Sequence, residues 1–410
     1  MKTQVRKIEA RLMLCCARTQ LDESEEARLL AILREVPPDF DWNGLVNLTM
    51  QHGVLPLICR HLKNREDALV PPDVKRALHE YSGQIAQRNF VLTRELLRVL
   101  ELLKANDVAA IPLKGPALAV AAYSNLAMRH FGDLDILVDR RGVAKAKNLL
   151  LADRYRLVTA LSRMQEEDHL RDDSVYDLMR DDDRVPVELH FAITSNCSPF
   201  NIDLKALQKH GRPLSVAGTS VANASPEDTL LILCVHGTKH IWGRLGWTCD
   251  VAELLRATPD LNWKRVLHQA GRLRCTRMLF LGLLLAHDLL QARVPSAILR
   301  QAHADRVARG LATRVRETLF READPTRVVD DLFILQSIER LPDRVRYGVH
   351  LATTPSAEER GKLPDSLSFL WWIIRPLRLA AKYSVRLLSA RPRRQTRHAG
   401  ATRANGKGAR

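Results

Sequence analysis

Aromatic side chains are scarce in this sequence, where they make up 5% of 410 residues. Wide stacking platforms for single-stranded nucleic acid are therefore not expected, because such platforms use successive aromatic rings. The seven cysteines contain no C-x-x-C pair. Their odd number and scattered positions predict reduced thiols, and they form neither a disulfide framework nor a zinc-ligand spacing.

Long apolar runs are also missing. No stretch approaches the roughly 20 apolar residues that span a bilayer, and charges interrupt the opening segment where a signal peptide would need an apolar core. We therefore predict a cytoplasmic protein, with peripheral attachment to the inner face of the membrane as an alternative. Neither a P-loop motif nor a G-x-G-x-x-G fingerprint occurs, so those two kinds of nucleotide site are not supported.

Acidic residues are absent from Trp371 to Arg410, a stretch that holds eleven lysines and arginines. The whole chain has a net charge of +16, so subtracting these eleven charges leaves only +5 for the remaining residues. The basic character thus belongs mainly to a tail. It gives no strong support for DNA binding by the folded body.

The hydrophobic pattern changes twice along the chain. Apolar residues at three- and four-residue spacing predict an N-terminal helical region over 1–105 and a C-terminal helical domain over 223–365. Short apolar strands between them predict a small mixed β-sheet core over 106–222. An amphipathic basic helix over 366–390 and a disordered basic tail over 391–410 complete the prediction. The predicted fold class is α+β.

Two carboxylates stand two residues apart in the strand candidate "FGDLDILVD", where Asp133 and Asp135 share one face. In a later strand, "VPVELHF", Glu188 and His190 share the face opposite the apolar residues. Three carboxylates on one sheet face repel each other, and a divalent cation such as Mg²⁺ or Mn²⁺ would relieve that repulsion. The alternative is that these are solvated strand acids with no ligand.

A Lys114-Gly115-Pro116 turn lies between a short apolar strand candidate and a predicted helix. The N-terminus of a helix presents free N–H groups to an anion, and glycine allows a phosphate to approach the backbone closely. Lys114 and Arg129 add positive charge. The turn is therefore a candidate phosphate site.

The ordered set of glycine turn, helix, D-x-D strand and later acid resembles the nucleotidyltransferase superfamily with the DNA polymerase β-like fold. More narrowly, "LKGPALAVAAYSNLAMRHFGDLDILV", "VPVELHF" and "HGTKHIWGRLGWTCDVAELL" resemble a family of uncharacterised bacterial nucleotidyltransferases often linked with polysaccharide or peptide biosynthesis clusters. The glycine-to-D-x-D stretch is also similar to the abortive-infection toxin nucleotidyltransferases. The narrow resemblance covers most of residues 35–390.

This resemblance implies a metal-dependent transfer of a nucleotidyl group from a nucleoside triphosphate (NTP) to an acceptor hydroxyl of unknown identity: a small molecule, glycan, peptide or RNA. It implies metal ligation by Asp133, Asp135 and Glu188, and phosphate contact at Gly115. The superfamily usually has Gly or Ser after that glycine, whereas Pro116 stands here and lacks an N–H donor. Pro116 favours the alternative of a non-catalytic nucleotide- or partner-binding member. A further alternative is a toxin-like RNA-modifying enzyme, for which the basic tail would supply phosphate contacts.

The segment "HGTKHIWGR" places His236 and His240 on one helical face, with Lys239 close by. A zinc protease would need Glu directly after the first histidine, where Gly237 stands, so that class is excluded. One interpretation is that this face contacts the triphosphate or the acceptor; the other is that the histidines are buried and hydrogen-bonded. Asp250 is expected either to orient one of these groups or to cap or pair locally.

The C-terminal segment carries four basic residues at helical spacing, Arg375, Arg378, Lys382 and Arg386, which form one stripe beside Trp371 and Trp372. A basic amphipathic helix of this kind is a candidate for contact with an anionic membrane surface. The alternative is that the tryptophans pack against the protein and the stripe is a solvated helix face.

Overall fold

Helices dominate the described part of this computed structural model, which covers residues 2–65, 68–160, 162–181, 185–321, 331–354, 370–371 and 373–378. Ahead of the sheet lie α1 (Lys2–Cys16), α2 (Glu23–Arg34), α3 (Trp42–Gln51), α4 (Leu55–Leu62) and α5 (Pro72–Ala105). Apolar residues at three- and four-residue spacing explain the long helix α5, whose C-terminal half buries Leu92, Leu96, Val99 and Leu103.

Two sheets follow α5. The strands are β1 (Ala110–Pro112), β2 (Leu134–Val138), β3 (Tyr155–Leu157), β4 (Val175–Arg180), β5 (Pro186–His190), β6 (Leu214–Val216) and β7 (Thr219–Val221). Between them lie α6 (Gly115–Tyr123), α7 (Val143–Ala152), α8 (Arg163–Asp172) and α9 (Leu204–His210). The main sheet has the order β1-β2-β5-β4-β3 and is mixed, since β2 and β5 are parallel and the other pairs are antiparallel. Strands β6 and β7 form a separate hairpin.

One face of the main sheet is apolar, as the alternation predicts. Leu134, Ile136 and Val138 of β2 are buried there together with Val187 and Leu189 of β5, in a cluster that includes the C-terminal half of α5. The opposite face of the same two strands carries their polar residues. Strands β4 and β5 are neighbours in the sheet and pair antiparallel.

The helices after the sheets are α10 (Pro226–Lys239), α11 (Leu245–Ala257), α12 (Trp263–Arg272), α13 (Thr276–Leu290), α14 (Ser296–Ala304), α15 (Arg306–Thr318), α16 (Asp331–Ser337) and α17 (Leu341–Thr353). Helix α13 is buried along most of its length. The α+β class with helices on both sides of a small mixed sheet is thus confirmed. Among the described helices, none has the length and apolar character needed to cross a bilayer.

The chain divides into one compact unit over Met1–Gly348 and a second over Val349–Arg410. Within the first unit, the change from helices to sheet falls between Ala105 and Ala110, and the return to helices between Val221 and Pro226. The finer division into domains stays a prediction. Most of the predicted basic helix over 366–390, and the whole tail over 391–410, lie outside the described residues. All seven cysteines are free and buried, as expected for reduced thiols.

Candidate functional site

The pairing of β2 with β5 brings the sequence-predicted acids together. The two strands are parallel, and their register places Asp135 directly beside Glu188. Asp133 stands one residue before β2 and is half-buried, whereas Asp135 is only 2% exposed. Side chains alternate along a strand, so each of the two strands has one polar face. The pairing of β2 with β5 makes these two polar faces one surface.

This polar surface forms part of the wall of a cavity of about 600 Å³, which residues of α10 and α11 also line. All the sequence-predicted site residues except Gly115 line the cavity: Lys114, Arg129, Asp133, Asp135, Glu188, His236, Lys239 and His240. Its walls also include Asp177, His190 and Trp247. A concave polar site of this size fits the volume range of small-molecule and cofactor pockets.

The turn between β1 and α6 has the conformation that its glycine predicts. Gly115 has φ +54°, in the left-handed region where a side chain would be strained. Just before it, the Leu113 amide donates to the Asp135 carbonyl oxygen at 3.0 Å, which ties the turn to β2. Helix α6 therefore begins beside the carboxylates, with Pro116 in its first turn.

Lys114 is held inside the site by two partners. Its Nζ lies 2.8 Å from Oδ1 of Asp135 and 3.2 Å from Nδ1 of His236. The ammonium thus links the sheet to α10. The Asp135 carboxylate, which is buried, already has a positive partner at bonding distance, as the burial of a charge requires.

His190 is the main site residue that the sequence reasoning placed on the right face but gave no role. Its Nε2 lies 3.2 Å from Oδ1 of Asp135 and 3.2 Å from Oε2 of Glu188. In the described part of the chain, Asp135, Glu188 and His190 form a group able to hold a metal ion, with ligand atoms within 4.8 Å of one another, and Asp133 is not part of that group. The sequence signal for His190 was its position on the same strand face as Glu188.

The pKa values of the two aspartates of the D-x-D motif are shifted in opposite directions. Burial raises the pKa of Asp133, and the negative charges of Asp135 and Glu188 raise it further. Burial would also raise the pKa of Asp135, but Lys114 and His190 outweigh it and hold that pKa well below its usual value. The site therefore concentrates negative charge next to a carboxylate that is kept ionised, which favours a bound cation.

Arg129 lines the cavity but is held by helix α11. Its Nε and Nη2 donate to the two carboxylate oxygens of Asp250 at 2.8 and 2.9 Å, and the Tyr123 hydroxyl donates to the same carboxylate at 2.7 Å. The expectation that Asp250 pairs locally is wrong, since its partners lie more than 120 residues away. The sequence pattern gave no sign of this pairing.

His236 and His240 both line the cavity, where His236 is half-buried and His240 is exposed. Their rings are 4.6 Å apart, and the His240 ring lies 5.1 Å from the Trp247 ring. Burial lowers the pKa of His240 to about 4, assisted by Lys239 and Lys114, and burial likewise holds the pKa of His236 well below its ordinary value. Both imidazoles are therefore neutral at pH 7.

A left-handed turn after α10 explains why glycine follows His236. Ile241 and Trp242 both have positive φ, +56° and +52°, which is strained for residues with these side chains. The turn inserts the fully buried Trp242 ring against α10, where a Cβ at Gly237 would lie 2.7 Å from ring atoms. Gly237 is therefore needed for packing.

Replacing Gly237 with alanine is expected to destabilise the protein by about 1–3 kcal/mol, because the added methyl overlaps the Trp242 ring in a filled core. Chemical denaturation measures the change. Gly310→Ala is the matched control, since that helical glycine has open space around it and the change should be neutral or stabilising by up to about 1 kcal/mol. Equal effects of the two substitutions would contradict the packing role.

Comparison with known proteins adds to this geometry. Residues 38–291, more than half of the chain, match a family described as uncharacterised nucleotidyltransferase. The chain belongs to this family. The match contains the whole main sheet, the Lys114-Gly115 turn and helices α10 and α11. No curated protein and no solved structure matches the chain.

Proposed function

We propose that this protein is a metal-dependent nucleotidyltransferase that moves a nucleoside monophosphate group from an NTP to the hydroxyl of an acceptor. Membership of the family supports a nucleotidyl-transfer role. The observation that carries the proposal is the buried Asp135, which meets Lys114 and His190 in the wall of the cavity, next to Glu188. Such a cluster combines carboxylate oxygens for a cation with positive charge for phosphates.

In this proposal Asp133, Asp135 and Glu188 hold the metal. When bound, a divalent cation supplies positive charge for the phosphate oxygens and lowers the pKa of a coordinated oxygen. These residues fit a divalent cation because their negative charge is only partly neutralised. Lys114 bonds to Asp135, but burial and the neighbouring acids raise the pKa of Asp133.

The reaction forms a bond between the acceptor oxygen and the α-phosphorus and breaks the bond to the β-phosphate, releasing pyrophosphate. The acceptor proton passes to a carboxylate of the cavity. Glu188 is suited to this because its side chain is 36% exposed, against 2% for Asp135. Lys114, His236, Lys239 and His240 line the cavity and are assigned to the triphosphate, together with the start of helix α6 at Gly115.

Release of pyrophosphate tests the proposal. The purified chain is incubated with each of four NTPs, with Mg²⁺ or Mn²⁺ and with a chelator, and mass spectrometry follows products formed from labelled NTP in a cell extract. Metal-dependent pyrophosphate release with a labelled product supports the proposal. Nucleotide binding without pyrophosphate release favours the non-catalytic alternative, which the missing N–H donor of Pro116 also favours. Label on RNA favours the toxin-like alternative.

Replacing Lys114 with alanine is expected to raise the KM for NTP by about tenfold or more, because it removes the positive charge nearest the Gly115 turn. Steady-state kinetics and a direct nucleotide titration measure the effect. Lys205→Ala is a control for loss of one positive charge, since Lys205 is exposed on α9 and does not line the cavity. Unchanged nucleotide affinity in the Lys114 variant would refute the assignment.

The basic C-terminal segment is assigned to an anionic membrane surface. In the described residues of this segment, Ile373 and Leu377 are exposed and Trp371 is buried. We expect the protein to sediment with anionic vesicles at low salt, with each basic residue of the stripe contributing about 1 kcal/mol to the binding free energy. Truncation after Pro364 should abolish this binding. Zwitterionic vesicles are the control. Failure to sediment at low salt would exclude membrane attachment.

A further inference from the structure

Three side chains of types that can ligate a metal converge from two adjacent strands on the cavity face of the sheet. Asp135 and Glu188 are register partners, and His190 follows Glu188 by two residues, so all three point to the same side. His190 is buried, and its other ring nitrogen, Nδ1, has no hydrogen-bond partner among the described residues. Within that part of the chain, the polar contacts of the ring are those of Nε2 to the two carboxylates.

The spacing of these atoms fits direct coordination of one ion. The His190 Nε2 lies 3.2 Å from an oxygen of each carboxylate. Adjacent ligand atoms around an ion with bonds of about 2.1 Å lie about 3 Å apart, so this nitrogen needs only a small shift to share an ion with both oxygens. The Lys114 ammonium, 2.8 Å from the same Asp135 oxygen, shows that a cation is accepted there.

We propose that His190 is an inner-sphere ligand, and that the site takes a first-row transition-metal ion, Mn²⁺ in preference to Mg²⁺. This inference rests on the proposed function, because it concerns the metal of the same site. Mg²⁺ selects oxygen ligands almost exclusively, whereas an imidazole nitrogen beside two carboxylates suits Mn²⁺ and the later ions of that row. An all-carboxylate site would show no such preference.

Mn²⁺ titration of the full chain without nucleotide, followed by electron paramagnetic resonance, tests the inference. Electron spin echo modulation of the bound Mn²⁺ should show coupling to one nitrogen, and labelling the histidines with ¹⁵N should change it. His190→Gln should abolish the coupling and weaken Mn²⁺ binding by at least about tenfold, with a smaller loss for Mg²⁺. His236→Gln is the matched control, because this half-buried histidine lines the same cavity outside the three-residue group.

The wild-type spectrum alone is informative even if His190→Gln does not fold. Bound Mn²⁺ with a histidine nitrogen coupling that survives in His236→Gln supports the inference. Bound Mn²⁺ without nitrogen coupling overturns it and leaves an oxygen-only metal site, so that the proposed function stands. Absence of any stoichiometric divalent-ion binding overturns both the inference and the metal dependence of the proposed function.

Discussion

Asp135→Asn is expected to lower the rate of pyrophosphate release by on the order of a thousandfold. Asp135 contacts both the lysine and the histidine of the site: its Oδ1 lies 2.8 Å from Lys114 Nζ and 3.2 Å from His190 Nε2. The amide keeps the shape of the side chain but removes the charge that a cation needs. Steady-state pyrophosphate release, with circular dichroism to confirm folding, measures the effect.

Asp177→Asn is the matched control for this substitution. Asp177 lies on β4 opposite Glu188, its carboxyl also lines the cavity, and burial followed by the charge of Glu188 raises its pKa. It is neither in the three-residue group nor among the three acids assigned to the metal, so we expect a loss of less than about tenfold. Asp133→Asn is expected to abolish turnover, and Glu188→Gln to reduce it less completely. Wild-type activity in both the Asp133 and Asp135 variants would rule out the metal site.

The site could be predicted from the sequence to the extent that it depends on strand periodicity. A period of two fixes which residues of β2 and β5 share a face, so the polar pairs Asp133/Asp135 and Glu188/His190 were separable from the apolar residues. Periodicity does not fix which strands are neighbours. The parallel pairing of β2 with β5, which creates the contact between Asp135 and Glu188, depends on tertiary packing.

The other contacts of the site are long-range and have no local signal. Lys114 meets His236 across 122 residues, and Arg129 meets Asp250 across 121. The sequence placed positive charge near the acids but could not distinguish a lysine that faces the cavity from an arginine already bound by a carboxylate. The same limit applies to Gly237, whose role depends on the left-handed turn that inserts Trp242.

Arg129→Met is expected to destabilise the protein by about 3–5 kcal/mol, the largest stability effect we predict. Among the described residues, the substitution leaves the buried Asp250 carboxylate with the Tyr123 hydroxyl as its one remaining side-chain donor. It also removes a bidentate bond between the segment before β2 and helix α11. The loss of unfolding free energy is measured by denaturant titration.

A surface ion pair of similar length provides the control. Arg156 Nε lies 2.7 Å from Asp181, and both side chains are more than half exposed, so Arg156→Met should cost less than about 1 kcal/mol. The double variant Arg129→Met/Asp250→Leu should recover part of the loss, because it removes the uncompensated charge. If Arg129→Met instead keeps full stability and raises the KM for NTP, the ion pair with Asp250 is not the main role of this arginine. Its main role is then the phosphate contact predicted from the sequence.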